Sequence, residues 1–520
     1  MNNKWWIFLG GVLIIFLVNI DATIVNLALA SIAKTFHTNL AQAQWVINSY
    51  LLTATIFFII GGKISDIIGQ KKVYLLGTIL FAISSLFAGL APNLSILIFT
   101  RLCQGIGLAF TLSLALLMIS NAFPKNQRGF VLGLSVTITG LGLATGPTLG
   151  GAILDMLNWH WIFLINVPIA GLSFIIIFIS YNSKKPIVND KIDYLGALFF
   201  GIALASFLTT LNTLASLQLN FFLLVLGLLI SVIFFVLFLY RELKVEFPLI
   251  NFDLFSRRNY SLSIVIRFLF MYTHGTFLFF VPLYLQNILE FSPLFAGLII
   301  LVYSSVFAIS SPLAGILCDQ IGYKNPIVVS SIIGSLSFFV LLFIGPSHTL
   351  YLTLLGLALF GVSGGIFIPS TVNSTISSLP KEKAGEGIGI FYTVAFLGTS
   401  LGVILSGTLM SLTTNHLLLV NLNPNILKLL KPAQLDLLHR VANGIQPLSK
   451  LKDIFNQNNL EIITKITHYS FEKGFINIML CNFALLILVT ILSIYMKKPQ
   501  IKPSKLKFSK KISVPPTTEA

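Results

Sequence analysis

The sequence predicts an all-α integral membrane protein with about fourteen spans. Three observations lead there. First, 56% of the 520 residues are hydrophobic and only 10% are charged, with a mean hydropathy of +0.92; an average soluble domain carries about 25% charged residues. Second, apolar runs long enough to cross a hydrocarbon core, about 20 residues each, recur at roughly 7–29, 45–61, 73–91, 94–120, 129–153, 159–181, 194–213, 219–240, 260–286, 294–316, 326–345, 350–371, 385–412 and 475–496. The runs are continuous, not alternating, which indicates helices and excludes a barrel. Third, the basic residues fall in alternate loops.

That placement explains the net charge of +16 without nucleic acid. Lys63, Lys71 and Lys72, then Lys125 and Arg128, Lys184, Lys185 and Lys191, Arg241, Lys244, Arg257 and Arg258, Lys324, and Lys381 and Lys383 mark one side, and a Lys-rich tail follows. Most intervening short loops carry none, Lys34 excepted. The positive-inside rule then puts both termini in the cytoplasm. Cys103, Cys318 and Cys481 are isolated and form no CxxC pair, so neither a disulfide framework nor a zinc site is indicated. Lys4, an apolar run and Ala28-Leu29-Ala30 superficially resemble a cleaved leader. Asp21 and Asn26 interrupt that run, and cleavage would leave an odd number of spans.

The first span carries Asn19-Ile20-Asp21-Ala22-Thr23-Ile24-Val25-Asn26. A carboxylate deep in a span costs at least about 2.5–3.5 kcal/mol on insertion scales, so Asp21 is a functional candidate. Asn19, Thr23 and Asn26 are expected to hydrogen-bond it. The second span opens with Gln44-Trp45-Val46-Ile47-Asn48-Ser49-Tyr50. Trp45 suits the membrane interface; Gln44, Asn48 and Tyr50 could line a polar cavity or join helices.

After it comes Gly62-Lys63-Ile64-Ser65-Asp66-Ile67-Ile68-Gly69-Gln70-Lys71, read as a tight cytoplasmic turn whose carboxylate pairs with a base or caps a helix. The pattern returns with constant offset as Gly315, Asp319, Gly322 and Lys324. Such an internal repeat is how secondary transporters are built, as two parallel halves around one site.

The fourth span holds Arg101-Leu102-Cys103-Gln104-Gly105. A buried arginine needs partners, and Asp21 is the best candidate. In the fifth, Gly142, Gly146, Pro147, Gly150 and Gly151 permit close helix approach and a bend. Trp159-His160-Trp161 leads into the sixth span, which continues Ile165-Asn166-Val167-Pro168.

On these residues the chain resembles the fourteen-span drug:proton antiporter family of the major facilitator superfamily. The resemblance rests on Asp21-x-Thr23-Ile24-Val25-Asn26, Gln44-Trp45-Val46, Gly62 to Lys72, Arg101-x-x-Gln104-Gly105, Gly142-x-x-x-Gly146-Pro147-x-x-Gly150-Gly151 and Trp159-x-Trp161-Ile162-Phe163-x-Ile165-Asn166-Val167-Pro168. Leu283-Tyr284-Leu285-Gln286-Asn287 and Ser292-Pro293-x-x-Ala296-Gly297 extend it. It covers most of the chain apart from the last large loop and the tail. Ala30, Ile67 and His160 depart from it, where the family usually has proline, arginine and arginine. The change at Ile67 weakens a charge relay around Asp66.

The resemblance implies a major facilitator fold: two six-helix halves plus two extra transmembrane helices. Residues 1–181 form the N-terminal half and 182–258 two linker spans with cytoplasmic loops. Residues 259–496 form the C-terminal half, including a long external loop at 413–474, and 497–520 the basic cytoplasmic tail. The linker spans, nearly free of ionisable residues, are expected to face lipid.

The ninth span holds Arg267 and His274 on one helix face. His274 is a coupling or cargo candidate or a packing residue; Arg267 is expected to snorkel to headgroups. Gly385-Glu386-Gly387-Ile388-Gly389 follows no strand and so is no dinucleotide loop. Glu386 is expected to be solvated. In the 413–474 loop, Pro432 is placed to open a helix with Leu435, Leu438, Val441 and Ile445 on one face, ending near Gly444. Ile462, Ile463, Ile466 and Tyr469 suggest a second helix running into the last span. These helices could lie on the outer membrane surface, meet a partner or simply fill. The tail, with seven lysines from Lys497 to Lys511, is expected to be disordered and held near anionic lipid.

No GxxxxGK[ST] loop, Ser-His-Asp pattern or HExxH motif occurs. This argues against an ATP-driven pump and an intramembrane enzyme, and no cofactor or metal is expected. The expectation is a transporter driven by the proton gradient through Asp21 and Arg101, with Asn26, Gln44, Asn48, Tyr50, Gln104, His274 and Gln286 as cavity candidates. Gly62, Asp66, Gly69, Gly142, Gly146, Pro147, Gly150, Gly315, Asp319 and Gly322 are gating and packing candidates. Export, and lipophilic or cationic small molecules as cargo, are implied by the resemblance, chiefly by the Gly-Pro motif of the fifth span. The alternative is a carrier for one metabolite, siderophore or amino acid on the same fold; a non-transporting sensor or scaffold is a third class. A cytoplasmic (inner) membrane is expected, with a periplasmic adaptor and outer-membrane channel as partners, by family analogy, if the cell has two membranes.

Overall fold

A computed structural model of the chain describes residues 3–38, 40–182, 191–214, 221–343, 349–422, 432–443, 450–451 and 457–498. Among them, fourteen helices are long and apolar enough to cross a membrane. In chain order they are α1 (Asn3–Thr35), α2 (Trp45–Ile68), α3 (Gln70–Gly89), α4 (Leu94–Ala122), α5 (Arg128–Met156), α6 (His160–Ser180), α7 (Tyr194–Leu214) and α8 (Phe221–Glu242). Then come α9 (Arg258–Leu283), α10 (Pro293–Ile321), α11 (Lys324–Leu341), α12 (Thr349–Ser378), α13 (Ala384–Asn421) and α14 (Gln457–Ile494).

The helices pair in the same way twice. In the first half α1 packs on α5, α2 and α3 on α4, and α3 on α6. In the second, α9 packs on α13, α10 and α11 on α12, and α11 on α14. The halves meet along α2–α13 and α5–α10, an exchange that the repeat itself generates. Lys4 reaches Gln127, and Asn259 bonds the Lys497 carbonyl, so the described ends of the chain lie at one end of the bundle, with the basic loops.

At this basic end the repeated motif closes the halves on each other. Asp66, on α2, accepts from the Gly385 and Glu386 amides of α13, both at 2.8 Å. Asp319, on α10, accepts from the Gly129 and Phe130 amides of α5, at 2.8 and 3.0 Å. Each carboxylate caps a helix of the opposite half, where unpaired amides and the helix dipole favour negative charge. The expected turn sits later than the sequence suggests. Gly62 is inside α2 and Gly315 inside α10. The left-handed turn residues are Gly69 (φ 100) and Gly322 (φ 83). Gly62 and Gly315 instead let backbones touch: a Cβ on either would lie 2.8 or 2.7 Å from the carbonyl carbon of Gly385 or Gly129.

Contact between halves continues inward through Thr137 to the Ala308 carbonyl (2.9 Å), Thr393 to the Thr55 carbonyl (3.0 Å), and Phe58 stacked on Tyr392 (5.3 Å). Beyond Gly140, which faces Phe307, α5 changes partner. Gly142 sits against Asn19 and Phe16, Gly146 against Thr23 and Gly150 against Ile24, all on α1. Pro147 lies within this stretch, and α5 runs on from Arg128 to Met156.

The linker helix α8 exposes most of its side chains, and α7 touches α2 where Gly201 meets Ile56. Their ends are more ionic than expected. Arg241 binds Asp193 at 2.7 Å, Glu242 accepts from the Ile250 amide, and the Asn251 amide donates to Glu386. Leu249 and Leu254 of the same loop are buried.

At the opposite end α13 and α14 have 38 residues each. That is about 57 Å of helix, longer than a bilayer with its headgroups. Much of the segment read as a loop at 413–474 is therefore helical extension: α13 runs on through the polar stretch Thr413–His416 to Asn421, and α14 starts at Gln457. The helix opened by Pro432 spans Pro432–Ala442. Its Leu438, Val441 and Ala442 bury against Leu418, Leu422, Leu451 and Ile463, so its apolar face is used within the protein and not on a membrane surface. Ile463 is buried on the second helix, whereas Ile462 and Tyr469 are exposed. Gly444, Ile445 and the tail beyond Lys498 lie outside the described residues.

Two outcomes follow. Asp319→Asn should lower stability by about 0.5–2 kcal/mol, the value of a helix cap, read as a lower thermal midpoint of the purified protein; an unchanged midpoint would refute the cap. Burial pushes the His439 imidazole below its ordinary 6.5, with Asp436 opposing, while its Nδ1 pairs with Asn415 Oδ1 at 2.6 Å. A base depressed in the folded state stabilises above its unfolded value and loses that contribution as pH falls. Hydrogen-exchange protection of Pro432–Ala442 should thus drop as pH falls through about 6.5, and His439→Asn should flatten the dependence.

Candidate functional site

Five helices of the first half converge on Asp21. It lies about 27 Å along α1 from Asn3, and Arg101 lies about 10 Å along α4 from the opposite end. Both are buried, at 0% and 1% exposure. Arg101 Nη1 donates to Asp21 Oδ2 at 2.7 Å and to Gln104 Oε1 at 2.6 Å, and Nε donates to the Val46 carbonyl at 2.9 Å. The guanidinium lies over the Tyr50 ring at 4.0 Å and near Phe163 at 5.6 Å. Asn166 Nδ2 donates to Asp21 Oδ1 at 3.0 Å, with Gln104 Nε2 at 3.5 Å. Ser85 Oγ accepts from Gln104 at 2.6 Å and from Asn166 at 3.4 Å.

The pairing of Asp21 with Arg101 is as the sequence suggests; the supporting polar groups are not. Asn19 bonds the Ile15 carbonyl, Thr23 the Asn19 and Ile20 carbonyls, and Asn26 the Ala22 carbonyl. Residues two or five positions from Asp21 point to another face of a helix, so these side chains return to their own backbone. Asn166 and Ser85 take the role instead. Asn166 was legible only as part of a motif, and Ser85 carried no signal, because its role arises from packing between helices.

Gln104 and Tyr50 belong to the Asp21 group. Gln44 is exposed at the start of α2, Asn48 is half-buried, and Asn26 is on an exposed face. Gln286 is half-buried in a π-helical turn, Tyr284–Ile288. His274 lies in the other half, its Nε2 2.7 Å from Tyr303 Oη among Phe270 and Phe360.

Two charges stand elsewhere than expected. Glu386 is not solvated: it is 1% exposed and binds Lys63 at 3.4 Å across the two halves. The amides that Asp66 caps belong to the same first turn, which draws Glu386 into the seam. Arg267 does not snorkel. It is 5% exposed, packs over Phe391 at 4.8 Å and reaches Thr371 Oγ1 at 3.4 Å. Its Cα is about 14 Å from the start of α9, too deep for headgroups. Among the described residues, no three His, Cys, Asp or Glu side chains form a metal-holding group.

The geometry can hold a charge within one half, away from the basic end, while the basic end is shut. Comparison with known proteins agrees with such a machine. A family model described as Major Facilitator Superfamily matches residues 11–403 and, in a second match, 263–504. The riboflavin transporter RibZ of Clostridioides difficile is 31% identical over 405 residues, 77% of this chain and 87% of its own. The multidrug resistance protein Stp of Mycobacterium tuberculosis is 29% identical over 402 residues, 76% of this chain and 74% of its own. The solved structure of the proton:xylose symporter XylE has the same fold, with a TM-score of 0.57 at 14% identity over 92% of this chain and 95% of its own.

Removing one partner of a buried pair strands the other. Arg101→Gln should therefore destabilise the protein by about 3–5 kcal/mol, and adding Asp21→Asn to it should recover part of that loss, with Asp21→Asn alone as the fourth corner. Thermal unfolding of the four proteins in detergent gives the cycle; additive losses would show that the pair is not coupled.

Proposed function

The chain belongs to the major facilitator superfamily, and we propose that it is a proton-coupled antiporter that exports lipophilic or cationic small molecules by alternating access. It works in the cytoplasmic (inner) membrane, with the basic end and both termini in the cytoplasm. The observation that carries this reading is the buried Asp21–Arg101 pair, 2.7 Å apart, placed toward the end opposite the Asp66 and Asp319 caps. The name of the Mycobacterium tuberculosis relative favours drugs as cargo.

The mechanism follows from charge. An ionised Asp21 balances Arg101; a protonated one leaves Arg101 uncompensated in a low dielectric and loosens the grip of α4 on α1. Through Gly142, Gly146 and Gly150, α1 is packed against α5. The other end of α5 is held by Asp319. Loading a proton at Asp21 thus reaches the basic-end seal through one rigid helix. The proton is taken from outside and released inside as cargo leaves. One proton moving down 100 mV supplies about 2.3 kcal/mol, a roughly fifty-fold gradient for a neutral cargo; a monovalent cation exchanged one for one draws on the pH difference alone. In a cell with two membranes, a periplasmic adaptor and an outer-membrane channel would receive the cargo.

A second reading is a carrier for one metabolite. The similarity to a riboflavin transporter favours it, and the same proton chemistry serves it.

Cells expressing the protein should extrude a fluorescent cationic dye, an uncoupler should stop them, and Asp21→Asn should be inactive though inserted. Equal export by wild type and Asp21→Asn would remove Asp21 from the mechanism. No export of any dye, together with uptake or release of one labelled metabolite, would establish the second reading.

A further inference from the structure

Three cations are buried among the described residues: Lys63, Arg101 and Arg267. Lys63 has Glu386 and Arg101 has Asp21. Arg267 is bound to no carboxylate among the described residues. Its one hydrogen-bond partner is Thr371 at 3.4 Å, its Nε meets no acceptor, and a phenylalanine ring covers its face. Arginine stays charged at any physiological pH, and an uncompensated charge at this depth is strongly unfavourable. One turn along α12 from Thr371, the Thr375 hydroxyl is also buried without a partner.

We propose that Arg267 is the anchor for an acidic group on the transported molecule, so that lipophilic acids and zwitterions are cargo. The proposal rests on the reading of the protein as a small-molecule exporter and specifies what that exporter grips. The edge of the guanidinium that carries Nε matches a carboxylate, sulfonate or phosphate with two parallel bonds. Thr371 and Thr375 stand on one face of α12: Thr371 accepts from Arg267 while its own proton goes to the Phe367 carbonyl at 2.9 Å, and the Thr375 hydroxyl keeps its proton to donate. Phe270, one turn along α9, stacks on Phe367 at 3.9 Å and continues into Phe360 at 5.8 Å. An apolar ring system can lie along this wall with its acid toward Arg267.

The seam explains access. Phe391 and Tyr392, which screen Arg267, are on α13, and Phe58 of α2 packs on Tyr392 and on Phe396 at 4.9 Å. When the halves part at the basic end, Phe58 withdraws and this wall opens toward the side from which an exporter loads. In the other half Asp21 is already taken by Arg101, Gln104 and Asn166. A cargo that carries an acid therefore gains a partner at Arg267, while a cargo without one gains nothing there and is held by the apolar wall alone.

Rhodamine B and its ethyl ester share one ring system and differ in a free carboxylate. Equilibrium binding to the purified protein, by fluorescence anisotropy, tests Arg267; uncoupler-sensitive efflux of the same dyes tests the export reading. Wild type should bind the acid at least about tenfold more tightly than the ester, the scale of one charge-assisted hydrogen bond. Arg267→Gln should erase that preference while binding of the ester stays within about twofold. Arg267→Lys, which keeps charge but loses the fork, should restore part of it. Should Arg267→Gln fail to insert, the acid-to-ester ratio of Arg267→Lys decides: a reduced ratio supports the proposal. A ratio unchanged in the variants, or absent in wild type, overturns it. Binding as expected with no efflux would leave Arg267 in place and refute export.

Discussion

A charge inside a membrane is costly until a partner answers it, and the packing of the first half follows from that. Asp21 and Arg101 approach to 2.7 Å because neither can reach water. To satisfy both, five helices must bring Val46, Tyr50, Ser85, Gln104, Phe163 and Asn166 to one place. The packing of the first half is thereby specified from its centre. The second half has no such pair among the described residues. Its centre is aromatic, with Phe270, Phe277, Phe338, Phe360 and Phe367 around His274 and Tyr303. The halves share a path of helices but not a chemistry: one centre is a buried ion pair, the other an aromatic cluster.

What the sequence made legible depended on range. Fourteen apolar runs, their sidedness and the repeat at Gly62 and Gly315 are local patterns, and the helices agree with them. Asp21 and Arg101 could be paired because two opposite charges stand out against apolar runs. The partners Asn166 and Ser85 could not be assigned, since a serine or asparagine in a span serves its own backbone as readily as a neighbour. Glu386 shows the limit most clearly. Beside Lys381, Glu382 and Lys383 it looks like a loop residue, yet the cap from Asp66, more than three hundred residues earlier, pulls its turn into the seam. Arg267 looked close enough to the membrane edge to escape it, and only the depth of its helix shows otherwise.

The linker spans are expected to face lipid, and α8 leaves most of its side chains exposed. The loop that follows does more. By giving the Asn251 amide to Glu386 and the Ile250 amide to Glu242, it lies across the seam and ties α8 to α13. Separation of the halves at the basic end must therefore carry this loop along or release it.

The exchanged caps also order events in time. Asp66 waits for Gly385, 319 residues further on, whereas Asp319 finds Gly129 already made. At translation rates of about 5–20 residues per second, α2 stays without its partner for roughly 15–60 s. During that interval the first half is in the bilayer with its Asp21 pair available but its basic end unlatched. The nascent chain is then a half-transporter that cannot yet close, and emergence of α13 from the ribosome is the step that converts it into a sealed one.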